Sequence, residues 1–270
     1  MKIIAVKMSG LELKDLETTG LAWKQIDECA AEVNSISVKL NDLYLLGDER
    51  GIDFLPVLHS LSPKLALFDM DSTLVAGEVI NQLAALKNCE PEIALITNRA
   101  MNGEIDFDES LRLRLSHLQD ITTEELSTIH SKLPLNEGAR ELVLGLKRLN
   151  VKTYIASGGF DFFAQKVAAD LEMDGCFSNH LEMINGKTTG KVIGEIINAQ
   201  KKKEILITKS QELGITLEET IAIGDGANDL EMIQKAGYGI AYHAKPIVKE
   251  KSPIRLSHNP LHALLYLWEK

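Results

Sequence analysis

Four aspartates fall in two pairs, each just past an apolar run. Asp69 and Asp71 follow the KLALF run of residues 64–68, and Asp225 and Asp229 follow the TIAIG run of residues 220–224. Residues two apart at a strand end can face one point once the backbone curls away. Carboxylates gathered at one point repel each other unless a cation sits between them. An all-oxygen site that keeps water and meets phosphate oxygens suits Mg²⁺. A calcium loop does not fit. Its sixth and twelfth positions would be Leu74 and Ile80 in one cluster and Leu230 and Ala236 in the other, where Gly and Glu are needed. Asp-x-Asp alone is common in solvated turns. Two such clusters behind two strands turn the reading toward function.

A third apolar run, residues 151–156, ends in Ser157-Gly158-Gly159. Glycines let a backbone approach an anion closely, and a following helix start offers free N–H donors. The same tripeptide also makes a bare strand-to-helix turn. Lys201-Lys202-Lys203 opens another helical stretch. Such a run is usually a solvated face, yet the helix macrodipole disfavours cations there. At least one of the three could therefore serve another purpose.

The elements that must hold these residues follow from the periodicity. Apolar runs at 64–68, 151–156, 220–224 and 238–242 read as buried strands, with amphipathic stretches at 137–149, 160–171 and 202–213 between them. Strands alternating with helices predict an α/β fold on a parallel sheet, whose ligands bind beyond the carboxyl ends of the strands. Residues 78–134 carry only helical patterning, with Leu111, Leu115 and Leu118 on one face, and read as a helical cap inserted after the first core strand. Asn185-Gly186 between short alternating runs is a hairpin signal. The first 62 residues read as a small separate α/β unit: a strand at 3–6, a helix at 21–33 and a strand at 35–40. They carry no motif.

The 270 residues hold 29 Lys plus Arg against 39 Asp plus Glu, a net charge of −10. That balance argues against nucleic acid as a partner, because binding phosphate backbones needs clustered positive charge. No stretch approaches the ~20 apolar residues of a membrane span. Cys29, Cys89 and Cys176 are odd in number and widely spaced, which fits neither a disulfide framework nor a zinc site. The four-residue apolar run before Lys7 is short for a signal peptide. A cytoplasmic protein is expected, with a homodimer left open.

The chain resembles the haloacid dehalogenase superfamily. Asp69-Met-Asp71-Ser-Thr73 is similar to its first motif, D-x-D-x-T, Ser157 to its second, Lys202 to its third and Gly224-Asp225-Gly-Ala-Asn228-Asp229 to its fourth. The finer resemblance, over about residues 65–252, is to the phosphoserine phosphatases of that superfamily. It adds Glu78, Arg99-Ala-Met101-Asn-Gly103, Phe107-Asp-Glu-Ser110-Leu-Arg-Leu-Arg114, Ala156-Ser-Gly-Gly-Phe160 and Ala241-Tyr-His-Ala-Lys-Pro246.

The resemblance implies a Rossmann-like core over 63–270, a cap at about 76–136, and Mg²⁺-dependent hydrolysis of O-phosphoserine, the last step of serine biosynthesis. It implies Asp69 as nucleophile and Asp71 as general acid and base. Mg²⁺ would rest on Asp69, the backbone carbonyl of Asp71, and Asp225, with Asp229 orienting Lys202 or a metal-bound water. Ser157 and Lys202 would take the phosphoryl oxygens. Glu78 would meet the substrate ammonium and Arg114 its carboxylate, with Gly158 and Asn228 as further contacts. Met101 and Phe107 would form an apolar lid. The alternatives are a related phosphatase or phosphotransferase for another small ester such as phosphohomoserine, and a non-catalytic sensing module.

Overall fold

The computed structural model describes residues 1–34, 39–58 and 61–268. Strands β1 (Lys2–Val6), β2 (Lys24–Gln25), β3 (Ala30–Asn34) and β4 (Asp53–Val57) form an antiparallel sheet in the order β2-β3-β1-β4, with helix α1 (Leu40–Arg50) leading into β4. Alternation along β1 explains its burial on both faces. Ile3 and Ala5 pack with Leu16, Leu43 and Phe54, whereas Ile4 and Val6 join the larger core of the molecule.

The helix expected over residues 21–33 does not form. The Asp27 carboxylate accepts the N–H groups of Cys29 and Ala30 at 2.8 and 2.9 Å, a local turn that competes with helical bonding. The next residues, Ala30 to Asn34, pair with β1 instead. Their alanines favour helix in isolation, and pairing across the sheet overrides that preference. Of the strand expected at 35–40, residues 35–38 lie outside the described residues and Leu40 opens α1.

Strand β5 (Leu65–Phe68) begins the main sheet. After it come α2 (Val79–Lys87), α3 (Glu90–Met101), α4 (Phe107–Ser116), β6 (Gln119–Thr122) and α5 (Thr123–Ser131). The chain continues through α6 (Ala139–Arg148), β7 (Lys152–Phe160), α7 (Asp161–Asp170) and the hairpin of β8 (Gly175–Ile184) and β9 (Lys187–Ile193). It ends with α8 (Ala199–Glu212), β10 (Thr220–Gly224), α9 (Leu230–Lys235), β11 (Tyr238–Tyr242), α10 (Pro246–Lys251) and β12 (Ile254–Leu256). The strand order is β12-β11-β10-β5-β7-β8-β9-β6, parallel from β12 to β8 and antiparallel beyond.

Strand β5 is apolar at every position, and β10 is so after Thr220, because both faces are covered. Leu65, Leu67 and Ala222 face Leu206, Met232 and Ile233 of α8 and α9. Ala66, Phe68, Ile221 and Ile223 face the other side, with Leu142 and Leu146 of α6 and Phe163 and Val167 of α7. Asn185 and Gly186 both take positive φ (50° and 75°), the backbone of the tight hairpin turn their sequence announces.

One strand in the inserted region was not expected. β6 pairs antiparallel with β9 and extends the main sheet under the inserted helices. Only Ile121 of its four residues is buried, so no alternation marks it in the sequence. The N-terminal sheet is fastened to the main one by Asp53. Its carboxylate accepts the N–H groups of Ser257, His258 and Asn259 at 2.6, 3.0 and 3.0 Å, and the Asn259 amide at 2.8 Å. Among the described residues, no helix is long and apolar enough to cross a membrane.

Candidate active site

Sheet register brings the chemistry together. Phe68 on β5 lies level with Ile223 on β10 and Ile155 on β7. The residues that follow, Asp69, Gly224-Asp225 and Ala156-Ser157, therefore emerge along one edge, at the carboxyl ends of three parallel strands. The Asp69 N–H still bonds the Ile223 carbonyl at 2.9 Å, which holds its Cα in the sheet.

Behind this edge, α8 delivers Lys202. Asn198 starts the helix by accepting the Lys201 N–H at 3.1 Å, and Lys202 lies one turn in. The three lysines then part. Lys201 pairs with Glu195 and Glu204, and Lys203 pairs with Glu231. Lys202 is 0% exposed and donates to Asp69 Oδ1 and Asp229 Oδ1 at 2.7 Å each. The second oxygen of Asp229 accepts the Gly226 N–H at 3.0 Å. Both oxygens of Asp229 are thus engaged, whereas the Asp225 carboxylate has no hydrogen bond or ion pair among the described residues, and only its backbone carbonyl is used, by the Lys245 N–H at 3.1 Å.

Oxygens of Asp69, Asp225 and Asp229 lie within 4.8 Å of one another. Lys202 pairs with two of these carboxylates, and burial together with crowding raises the proton affinity of Asp69 and Asp225. Burial, then Asp229, pushes the Asp69 carboxyl well above its usual range, against the pull of Lys202. Burial pushes Asp225 up to about 7, helped by Asp229 and Glu78 and opposed by Lys245 and Lys202. Burial alone would lower the Lys202 ammonium, but Asp229 and Asp69 outweigh it and raise it. This excess of negative oxygen donors fits a hard divalent cation. The carboxylate of Asp71 is not in this cluster, and Asp229 is.

Asp71 stands beside it. One carboxylate oxygen accepts the Val79 N–H at 2.8 Å, so Asp71 supports the first turn of α2. The other lies by Gly159, where an added Cβ would come within 2.8 Å of it and 3.1 Å of the Ser157 hydroxyl. Only glycine leaves that space. Burial, reinforced by Glu78, raises Asp71 to about 7 despite the Val79 bond. Ser157 is fully buried, and its Oγ accepts the Gly159 N–H at 2.9 Å. Asn228 is half-buried beside Gly226 in the short turn before α9.

The remaining expected residues form the other wall. Asp106 caps α4 by accepting the Glu109 N–H at 2.8 Å. Phe107 and Arg114 lie seven residues apart and so share one face of that helix. Phe107 packs over Gly158, whose missing side chain makes room for the ring. Arg114 is half-buried, unlike its exposed neighbour Arg112. Burial lowers its guanidinium, while Glu78 and Asp71 raise it, which sets all three groups within electrostatic reach. Glu78 is exposed and accepts the Ser72 hydroxyl at 3.0 Å. Met101 ends α3 at 72% exposure, and no described contact ties it to the cluster.

Three asparagines escape sequence reasoning. Asn136 Nδ2 donates to the carbonyls of Thr73 and Val75 at 2.8 and 3.2 Å, fixing the loop after Asp71. Asn198 also donates to Asp108 of α4 at 3.1 Å. Asn179 bridges the Gly158 carbonyl and the Ile197 N–H at 2.8 Å each. Asn198, just before the lysine-rich helix, carries the signal of an N-cap residue, whereas Asn136 and Asn179 belong to no motif or periodic pattern.

The family model of haloacid dehalogenase-like hydrolases matches residues 63–237. The chain belongs to this family. A phosphoserine phosphatase of Vibrio cholerae serotype O1 is 46% identical over 190 residues, which cover 70% of this chain and 58% of that protein. Another, of Methanocaldococcus jannaschii, is 42% identical over 202 residues, covering 75% of this chain and 96% of that one. The chain thus spans little more than half of the first relative and nearly all of the second. The crystal structure of a haloacid dehalogenase family hydrolase from Salmonella enterica serovar Typhi superposes with a TM-score of 0.90 at 28% identity, covering 100% of this chain and 99% of that one. That likeness takes in the N-terminal sheet as well as the matched core.

Proposed function

We propose that this protein hydrolyses O-phosphoserine to serine and phosphate, the last step of serine biosynthesis, with Mg²⁺ as its cation. The observation that carries the substrate is that Glu78 and Arg114, which make no ion pair with each other among the described residues, lie within electrostatic reach of each other, with Asp71 in reach of both. One offers charge to an ammonium and the other a planar fork to a carboxylate. The naming of the relatives supports the same reading.

Asp69, Asp225 and the Asp71 backbone carbonyl would hold the cation, with Asp229 orienting Lys202. When bound, the cation neutralises charge on the phosphoryl oxygens and keeps Asp69 ionised. The Asp69 carboxylate attacks phosphorus, forming an aspartyl-phosphate as the bond to the serine oxygen breaks. Asp71 gives its proton to that oxygen; its raised proton affinity suits a group that must be protonated at this point. Asp71 then takes a proton from water as the water attacks phosphorus, which releases phosphate and restores Asp69. Lys202, the Ser157 hydroxyl and nearby N–H groups balance the charge that spreads over the phosphoryl oxygens. Phe107 over Gly158 excludes water from the phosphate side.

We also propose a boundary near residues 62–63 between the N-terminal unit and the phosphatase core, a cap at about 76–136, and a cytoplasmic enzyme that could act as a homodimer. Phosphate release from phosphoserine with Mg²⁺, then with EDTA, tests the activity. A panel including phosphohomoserine, with homoserine as a trial acceptor, tests the substrate. Faster turnover of an ester without amino and carboxylate groups would overturn the choice of phosphoserine.

A further inference from the structure

We propose that Asn179 is a positioning residue that sets the distance between the phosphate-facing loop and Lys202. The proposal rests on reading this site as one that binds and cleaves phosphate esters. It begins with a break in the sheet. Ala156 on β7 pairs with Phe177 on β8, and Phe160 pairs with Asn179. Between those pairs β7 passes Ser157, Gly158 and Gly159 while β8 passes Ser178 alone. The surplus on β7 bulges out of the ladder and brings Gly159 up against the Asp71 carboxylate. Bulges beside active sites re-aim side chains in this way.

A bulge leaves backbone groups without ladder partners, and a buried one must be satisfied elsewhere. Here the Gly158 carbonyl accepts Asn179 Nδ2 at 2.8 Å, and the Gly159 N–H turns to the Ser157 hydroxyl at 2.9 Å. Asn179 is 1% exposed and uses its other end on a different element. Its Oδ1 accepts the Ile197 N–H at 2.8 Å. Ile197 precedes Asn198, the N-cap of α8, and the Lys202 N–H bonds the Asn198 carbonyl at 2.9 Å. One side-chain amide therefore ties the loop carrying Ser157 to the start of the helix carrying Lys202. Both groups serve the phosphoryl oxygens in the proposed reaction, and a misplacement of ~1 Å in such a pair can cost about 100-fold.

The test uses the full chain with Asn179→Ala and Asn179→Asp. The aspartate keeps an acceptor for Ile197 but cannot donate to Gly158. Both variants should lose on the order of 30-fold in kcat/KM, by the same factor for phosphoserine and for 4-nitrophenyl phosphate, because the defect is on the phosphate side. Affinity for inorganic phosphate, measured by calorimetry, should fall with it. All assays are run well below each variant's melting temperature, so that a merely structural role would lower Tm and leave these ratios in place.

Activity and phosphate affinity within threefold of wild type in either variant would overturn the proposal, as would a loss confined to phosphoserine. Should Asn179→Ala fail to fold, Asn179→Ser gives the same comparison. If wild type cleaves only the aryl ester, the phosphoserine reading fails and the Asn179 comparison still stands. If it cleaves neither, phosphate affinity decides, and a wild type that binds no phosphate overturns both.

Discussion

Asp69, Lys202 and Asp229 are 5%, 0% and 0% exposed, with both carboxylates bonded to the lysine between them, while across the cleft the polar groups are held far more loosely. Among the described residues the Arg114 side chain bonds only the Ser110 carbonyl of its own helix, at 3.3 Å, and Glu78 stands in solvent with Ser72 as its partner. The contrast follows from what each wall must do. Charges that work without water need fixed partners, since an unpaired buried charge costs several kcal/mol. Groups that select a substrate must keep bonding capacity unused until it arrives. The floor should therefore control whether the reaction occurs, and the opposite wall which ester enters.

The sharpest way to break this contrast is at the floor. Asp69→Asn keeps the shape and removes the proposed nucleophile, and phosphate release should fall by on the order of a thousandfold or more for every ester tested. Stoichiometric labelling of the chain by phosphate, or its beryllium fluoride mimic, should vanish with it. Substantial turnover in the variant would place the attacking group elsewhere and dissolve the distinction between the walls.

The next effect is on stability, and its sign can be worked out. Asp71 and Asp225 bind protons up to about pH 7 in the folded, cation-free chain, whereas an unfolded carboxyl releases them near pH 4. Between those values the folded state holds more protons, so stability falls as pH rises through the window. Urea unfolding in EDTA should show a loss of several kcal/mol from pH 4 to pH 8 relative to Asp71→Asn/Asp225→Asn. Mg²⁺ should flatten the slope, because it binds the ionised form. An equal slope in the double variant would mean that these carboxyls do not govern it.

The same contrast explains what could be read in advance. The floor was legible because it is built from sheet. Apolar runs ending in Asp69, Ser157 and Asp225 fix both the strands and the level at which they stop. Which of Lys201, Lys202 and Lys203 points inward was not legible from composition, since burial alone separates them. Residues 21–33 misled because alanines favour a helix that the Asp27 turn and the β1 pairing forbid. β6 was hidden because one buried residue in four makes no pattern. Asn136 and Asn179 were invisible because a hydrogen bond between segments distant in the chain leaves no mark on either.

Arg114→Ala sharpens the comparison from the other wall. It should lower kcat/KM for phosphoserine by about 100-fold, the scale expected when a bidentate carboxylate contact is lost. 4-Nitrophenyl phosphate, which has no carboxylate, should stay within a few-fold of wild type. Equal losses on both esters would make Arg114 part of the floor's support.

The smallest effect separates two residues of the inserted helices. Phe107 touches the phosphate-side loop at Gly158, whereas Met101 sits in solvent at the end of α3. In this geometry Phe107→Ala opens the loop to water and should slow phosphoserine and the aryl ester alike, by about tenfold. Met101→Ala removes no described contact and should change kcat by less than about twofold, the usual outcome for an exposed side chain. A Met101→Ala loss matching that of Phe107→Ala would require α3 to swing inward during turnover. Met101 would then contact the substrate only in a closed state, and a selective rise in KM for phosphoserine would distinguish that contact from a general loss of fold.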